Sequence, residues 1–156
     1  MVSKEHMVSN EPDVISQVRR RLHQRGVRFT VGRDQLVATL WKAPGPRSAG
    51  ELHRLLKSQV PLSSLYRSLA VLEAAGVVRR HHDPSGLIRF ELSEWLSGHH
   101  HHLLCADCGV VEDVELDDVS ERTLSNLARR FGRRAGYEVA GHGLEIVGVC
   151  RDCIPA

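Results

Sequence analysis

The chain is expected to be α+β, an N-terminal winged helix-turn-helix followed by a small α/β unit. Three observations predict this. Apolar residues recur at helical intervals in four stretches before Gly76, and period-two runs flank a turn signal just after it. All four cysteines then fall into two Cys-x-x-Cys pairs, Cys105–Cys108 and Cys150–Cys153.

The elements follow in order. Residues 1–11 read as a disordered arm. Pro12 opens a helix with Val14, Ile15, Val18 and Leu22 on one face, ending at Gly26. A second helix, Arg33–Trp41, turns Leu36, Val37 and Leu40 inward, and Ala43-Pro-Gly-Pro breaks it. Ser48 caps a third, with Glu51 as reciprocal partner and Leu52, Leu55 and Leu56 as its apolar face. Pro61 and Ser63 start a fourth, with Leu65, Leu69 and Leu72 inward. Val77–His82 and Leu87–Leu92 flank Asp83-Pro-Ser-Gly86 as a hairpin. Helices three and four followed by that hairpin describe a helix-turn-helix with its wing. The back half reads as two short strands around the first knuckle (Leu103-Leu104 and Val110–Val114), a helix over Val119–Phe131, and a strand within Tyr137–Val149. That strand offers Leu144, Ile146 and Val149 to the core. The domains are thus 1–92 and 93–156.

Charge divides at the same place. Residues 1–90 hold 15 Lys/Arg against 7 Asp/Glu, and residues 91–156 hold 6 against 12, balances of +8 and −6. A basic front suits a polyanion, and an acidic, Cys/His-rich back suits cations. No apolar run approaches the roughly 20 residues of a membrane span, and the N-terminus has no apolar signal segment. A cytoplasmic protein with reduced thiols is expected.

Two Cys-x-x-Cys knuckles supply the four thiolates of a tetrahedral structural zinc site: Cys105, Cys108, Cys150 and Cys153. Disulfides or a redox pair are the competing reading, but nothing suggests secretion and a redox motif needs only one pair. His99–His102 run almost into the first knuckle. In an extended strand His99 and His101 face one way and His100 and His102 the other, which makes two half-sites back to back. Glu112 and Asp113 lie close enough in sequence to serve either. At the head of the fourth helix Ser63, Ser64, Tyr66 and Arg67 are placed to read a major groove, with Arg33 and Arg19–Arg21 toward phosphates.

Winged helix, Leu65-Tyr66-Arg67, Phe90-Glu91-Leu92, histidine run, Cys-x-x-Cys-Gly and terminal Cys-x-x-Cys, in that order, closely resemble the ferric uptake regulator family of metal-dependent bacterial repressors. The resemblance implies a homodimer that clamps palindromic double-stranded operator DNA when metal-loaded. Glu91, His100 and His102 match a sensory site, and His99, His101, Glu121 and His142 match a second site. Arg28 matches a residue that enters the minor groove. The expected cofactors are structural Zn2+ and a regulatory Fe2+ or Zn2+, with iron(II) favoured and zinc uptake control the alternative. The chain departs from the family at Pro46-Arg47, where iron and peroxide sensors usually add a histidine. It departs again at Arg79 and near Ser93, where zinc sensors place aspartate and cysteine. His81 or His82 is a possible substitute ligand.

An enzyme, or a metal store, is the rival class. Neither His-Glu-x-x-His nor the deaminase pattern occurs, and the basic front half would be idle in either. No catalysis, no small-molecule substrate and no membrane partner are expected.

Overall fold

The computed structural model describes residues 10–154 apart from 58 and 84. The expected arm lies outside them as far as residue 9, but Asn10 and Glu11 belong to the first helix. In α1 (Glu11–Gln24) the Asn10 side chain accepts from the Asp13 amide at 3.0 Å. Pro12 sits in the first turn, where its missing N–H costs nothing. Val14, Val18 and Leu22 are fully buried. The next helix, α2 (Val31–Lys42), starts two residues before the expected Arg33 because Thr30 caps it. The reciprocal cap on α3 (Ala49–Leu55) forms as expected: the Ser48 amide donates to Glu51 at 2.7 Å, and the Glu51 amide donates to Ser48 Oγ. Leu55, expected inward, is exposed, while its neighbours on the inward face, Leu52 and Leu56, are buried. α4 (Leu62–Ala74) buries Leu65, Leu69 and Leu72.

The first sheet runs β1-β3-β2, all antiparallel, from β1 (Arg47–Ser48), β2 (Val78–His82) and β3 (Ile88–Leu92). β1 has no sequence signature of its own; two residues before α3 pair with Arg89 and Phe90. In the turn expected at Asp83-Pro-Ser-Gly86, Pro84 lies outside the described residues. The Gly86 amide donates to the Asp83 carbonyl at 2.8 Å. A short α5 (Glu94–Ser97), absent from the sequence reading, docks back: Leu96 is buried in the same core as α1–α4, and Trp95 Nε1 donates to Gly76 O at 2.7 Å.

The second sheet runs β5-β4-β6, from β4 (His101–Cys105), β5 (Val111–Val114) and β6 (Glu145–Gly148). β5 is antiparallel and β6 parallel to β4. α6 (Asp118–Ala135) carries the chain from one edge of this sheet to the other, capped by Asp117. The last strand is shorter than Tyr137–Val149. Ile146 and Val149, expected in the core, are about half exposed, and α6 buries none of its residues. The apolar stripe of α6 exists, with Leu127 and Phe131 on it, but this chain alone does not cover it.

Two close approaches fix the halves. A Cβ on Gly45 would lie 2.5 Å from the Val111 carbonyl oxygen, so only glycine lets the loop before β1 lie against β5. There the Asp113 amide donates to Pro44 O at 2.9 Å. A Cβ on Gly132 would lie 2.2 Å from Val139 Cγ2, which lets the segment after α6 fold back along it. Among the described residues no helix is long and apolar enough to cross a membrane.

Candidate metal centres and nucleic-acid interface

The parallel pairing of β4 with β6 sets Cys105 opposite Gly148, so both strands end at one edge and deliver their knuckles together. Each knuckle is a tight turn: the Gly109 amide donates to Cys105 O at 3.0 Å, and the Cys153 amide to Cys150 O at 2.9 Å. The Cys150 amide also donates to Cys105 Sγ at 3.3 Å. All four cysteines are free, and their sulfurs lie within 4.8 Å of one another. Backbone amides of Cys108 and Cys150 lower the Cys105 thiol to about 6. Its neighbours Cys150 and Cys108 push Cys153 well above a free thiol. Four sulfurs this close cannot all ionise unaided. A divalent cation removes that conflict, and the donor set fits zinc.

The histidine run alternates as its spacing requires, although only His101 and His102 lie within β4. His100 and His102 face the wing. Their Nε2 atoms lie 3.1 and 3.0 Å from Glu91 Oε2 on β3, with Asp113 Oδ1 at 3.8 and 3.7 Å. His81 on β2 reaches the other oxygen, Nε2 to Oε1 at 2.6 Å. Burial alone would raise the Glu91 carboxyl. Hydrogen bonds from His100, His102 and His81 outweigh it and hold Glu91 ionised, far below the usual carboxylate range. Glu91 in turn raises His100 to about 9, with the Gly98 carbonyl helping against burial. His100 Nδ1 lies 3.0 Å from that carbonyl, so Nδ1 carries a proton and Nε2 is the nitrogen a cation would take. One donor atom each from Glu91, His100, His102 and Asp113 lies within 4.8 Å of the others. These residues fit a divalent ion.

His99 and His101 face the other way, to Glu121 on the first turn of α6. His101 Nε2 lies 2.9 Å from Oε2, and His142 Nε2 and His99 Nε2 lie 2.8 and 3.5 Å from Oε1. Together they form a second cluster of four. His142 Nε2 is buried and, although close to Glu121, is not aligned as a hydrogen bond. His101 differs from His100: its Nδ1 accepts from the Leu144 amide at 3.1 Å, which puts the proton on Nε2. Ligation through Nε2 would cost that amide bond.

Of the other expected ligands, Glu112 is exposed and belongs to none of the clusters found among the described residues, and the same holds for His82. Arg79, where zinc sensors place aspartate, pairs with Glu94 at 2.7 Å. Ser93 caps α5.

Sequence reasoning missed Arg89. It is buried and reaches three elements: Nη1 to Glu51 of α3 at 2.8 Å, Nε to Asp83 of the wing turn at 3.1 Å, and Nη2 to Gly109 O beside Cys108 at 2.5 Å. A charged residue in a strand otherwise facing inward was the available signal. Glu145 was also missed. It lies beside His102 in the parallel register and close to His81.

On the opposite side, the N-terminus of α4 has no side-chain cap. Tyr66 and Arg67 are exposed there with Ser63, and Ser64 is half-buried. Uncapped amides and an exposed guanidinium suit phosphate. Arg28 is exposed. Arg33 is half-buried and donates to the Arg28 carbonyl, so it holds the loop that presents Arg28. Arg21 is taken up by the Ala75 carbonyl and the Trp95 ring, and Arg19 lies over Phe29.

The comparisons agree with this architecture. The ferric uptake regulator family profile matches residues 24–147. The "Ferric uptake regulation protein" of Legionella pneumophila is 34% identical over 137 residues, 85% of this chain and 96% of that protein. That of Bacillus subtilis is 28% identical over 144 residues, 89% and 93%. Among solved structures, the Vibrio cholerae ferric uptake regulator superposes with TM-score 0.65 at 32% identity, covering 85% of this chain and 98% of that one. The Helicobacter pylori regulator shares the fold at TM-score 0.72 and 17% identity, over 94% and 95%. A zinc-bound manganese uptake regulator aligns at 0.65 and 26%, over 85% and 98%. With the helix-turn-helix and wing, the paired cysteine knuckles and the two-faced histidine strand in that order over most of its length, the chain belongs to the ferric uptake regulator family.

Proposed function

We propose that this chain represses transcription as a homodimer whose grip on operator DNA is set by a divalent ion, iron(II) by preference, held at Glu91, His100, His102 and Asp113. The observation that carries this is Glu91. It is a buried, ionised carboxylate on the wing sheet whose partners are His102 on β4 of the other sheet and His100 just before that strand. An ion bound there supplies charge that draws the two sheets into one arrangement. The protein side holds the tautomer through Gly98 O, excludes water by burial, and keeps Glu91 ionised. Oxygen and nitrogen donors without thiolate suit iron(II) or manganese(II), and the relatives from Legionella pneumophila and Bacillus subtilis bear ferric uptake names. Zinc remains the second reading, since one scaffold of this fold is described with zinc.

The cysteine cluster would hold zinc permanently and join β4 to β6. The His99–His101–Glu121–His142 cluster is a second ion site that asks more rearrangement. The parts that go with this reading are 1–92 for DNA and 93–156 for ion binding and dimerisation, with α5 as the connector. The homodimer reading is supported by the uncovered Val119, Leu127, Phe131, Ile146 and Val147. Tyr66 and Arg67, with Ser63 and Ser64, would read the major groove, and Arg28 the minor groove. No catalytic role is assigned to any residue.

The test is binding to a duplex selected from a random pool, with and without iron(II) in anaerobic buffer. Tyr66→Ala and Arg67→Ala should each weaken binding by about 1–3 kcal/mol, roughly 5- to 150-fold, with metal content unchanged. Unchanged affinity in both removes α4 from the groove.

A further inference from the structure

One donor atom each from His81 on β2, His102 on β4 and Glu145 on β6 lies within 4.8 Å of the other two. His81 and His102 meet edge to face, with ring centroids 4.9 Å apart, and Glu145 is the register partner of His102 in the parallel pair. These three line a cavity of about 10 Å³ between the sheets, with Pro46, His82, Asp83 and Arg89 among its other walls. That volume is about one water-sized sphere. Asp83 and Arg89 are engaged with each other at 3.1 Å, and Pro46 has no donor to offer. His81 and His102 share Glu91 at 2.6 and 3.0 Å, and His82 belongs to no cluster of ligand atoms among the described residues. An ion drawing the first two from Glu91 would therefore meet two imidazoles and the Glu145 carboxylate.

We infer that His81, His102 and Glu145 form a second seat for the regulatory divalent ion, exclusive of the Glu91 seat. This rests on the sensory reading given above. Exclusivity follows from His102, which belongs to both clusters. A neutral imidazole has one lone pair free for a metal, because its other nitrogen carries the proton. The chain therefore holds one ion or the other, never both. Two histidines and a carboxylate with the remaining positions open to water suit iron(II) and manganese(II). The Glu91 seat recruits the wing through β3, and this one recruits it through β2. It also brings in β6, the strand that runs on to the terminal knuckle. The position of the ion between the seats thus selects which wing strand is tied to the second sheet.

Manganese(II) titration read by the signal of the free ion in electron paramagnetic resonance tests this. The protein carries zinc in the cysteine cluster, which a hard ion does not enter, and His142→Ala to disable the Glu121 cluster. The parent should bind one ion per chain. Adding His100→Ala should leave one ion per chain bound, and adding His81→Ala or Glu145→Gln to that should weaken it at least tenfold. Glu145 is exposed and its amide isosteric, so folding is preserved, and matched thermal melting checks this. Complete loss of manganese on His100→Ala alone overturns the second seat and leaves the Glu91 reading intact. A retained ion that ignores both His81→Ala and Glu145→Gln also overturns it, as do two ions per parent chain. Parent-like affinity when Glu91→Gln and Glu145→Gln are combined, which disables both seats, counts instead against the sensory reading.

Discussion

Arg89 shows how much of this molecule depends on single side chains. Its guanidinium holds together α3, the wing turn and the first knuckle, and its partner Asp83 has almost no exposed side chain. Replacing it with methionine leaves Asp83 Oδ2 buried without its cation, while Oδ1 keeps the Ser85 and Leu87 amides. Removal of one partner from such a pair costs about 3–5 kcal/mol, to be read as lowered denaturant midpoint in zinc-loaded protein. A loss below about 1 kcal/mol would mean the pair is solvated. Glu51, which Arg89 also contacts, gives a pH signature. Burial raises its carboxyl, but Ser48 and Arg89 outweigh that and hold it below 4.5. A depressed acid contributes stability above its unfolded value and loses it as pH falls through the folded one. Wild type should therefore lose more stability than Glu51→Gln below about pH 4.5, and the two should run parallel above it. Parallel acid unfolding throughout would contradict this.

At the scale of elements, what is local in sequence was legible. Ser48-x-x-Glu51, Pro12, and the Leu65/Leu69/Leu72 spacing each encode a helix feature within a few residues, and each appears as expected. What depends on a distant partner was not. β1 exists only because β3 lies beside it, and Glu145 approaches His102 only through the parallel pairing of β6. Leu55 has the right spacing but no element above it. The alternation of His99–His102 survived because period two is a property of the extended chain itself, and it set His100 and His102 beside Glu91 and His99 and His101 beside Glu121. Gly45 belongs to the same class as β1: it sits in an evident loop, yet its need is set by Val111, far along the chain. Gly45→Ala should separate that loop from β5 and cost about 1–3 kcal/mol, together with slower exchange lost at the Asp113 amide. Unchanged protection of that amide would contradict the close approach.

For the whole molecule, the core is uneven. One cluster built from α1–α5 and the wing buries eighteen apolar residues. The second sheet buries only Leu104, Cys105 and Val111 with His101 and His102. So small a core needs other support, and zinc binding in thiolate sites is worth roughly 10–16 kcal/mol. Cys105→Ser or Cys153→Ser should unfold the second sheet and abolish the dimer, while α1–α4 retain their helical signal. Full zinc content with normal melting would contradict the cluster. The central claim is that an ion between Glu91 and the histidine strand sets DNA affinity. The most direct measurement is operator binding against buffered free iron(II) for wild type and for a His100→Ala, His102→Ala double variant, which removes both seats. Wild type should bind at least tenfold tighter with iron(II), a coupling of about 1.4 kcal/mol. The double variant should show no metal dependence while it keeps one zinc per chain. Full metal-dependent binding by the double variant would contradict the account.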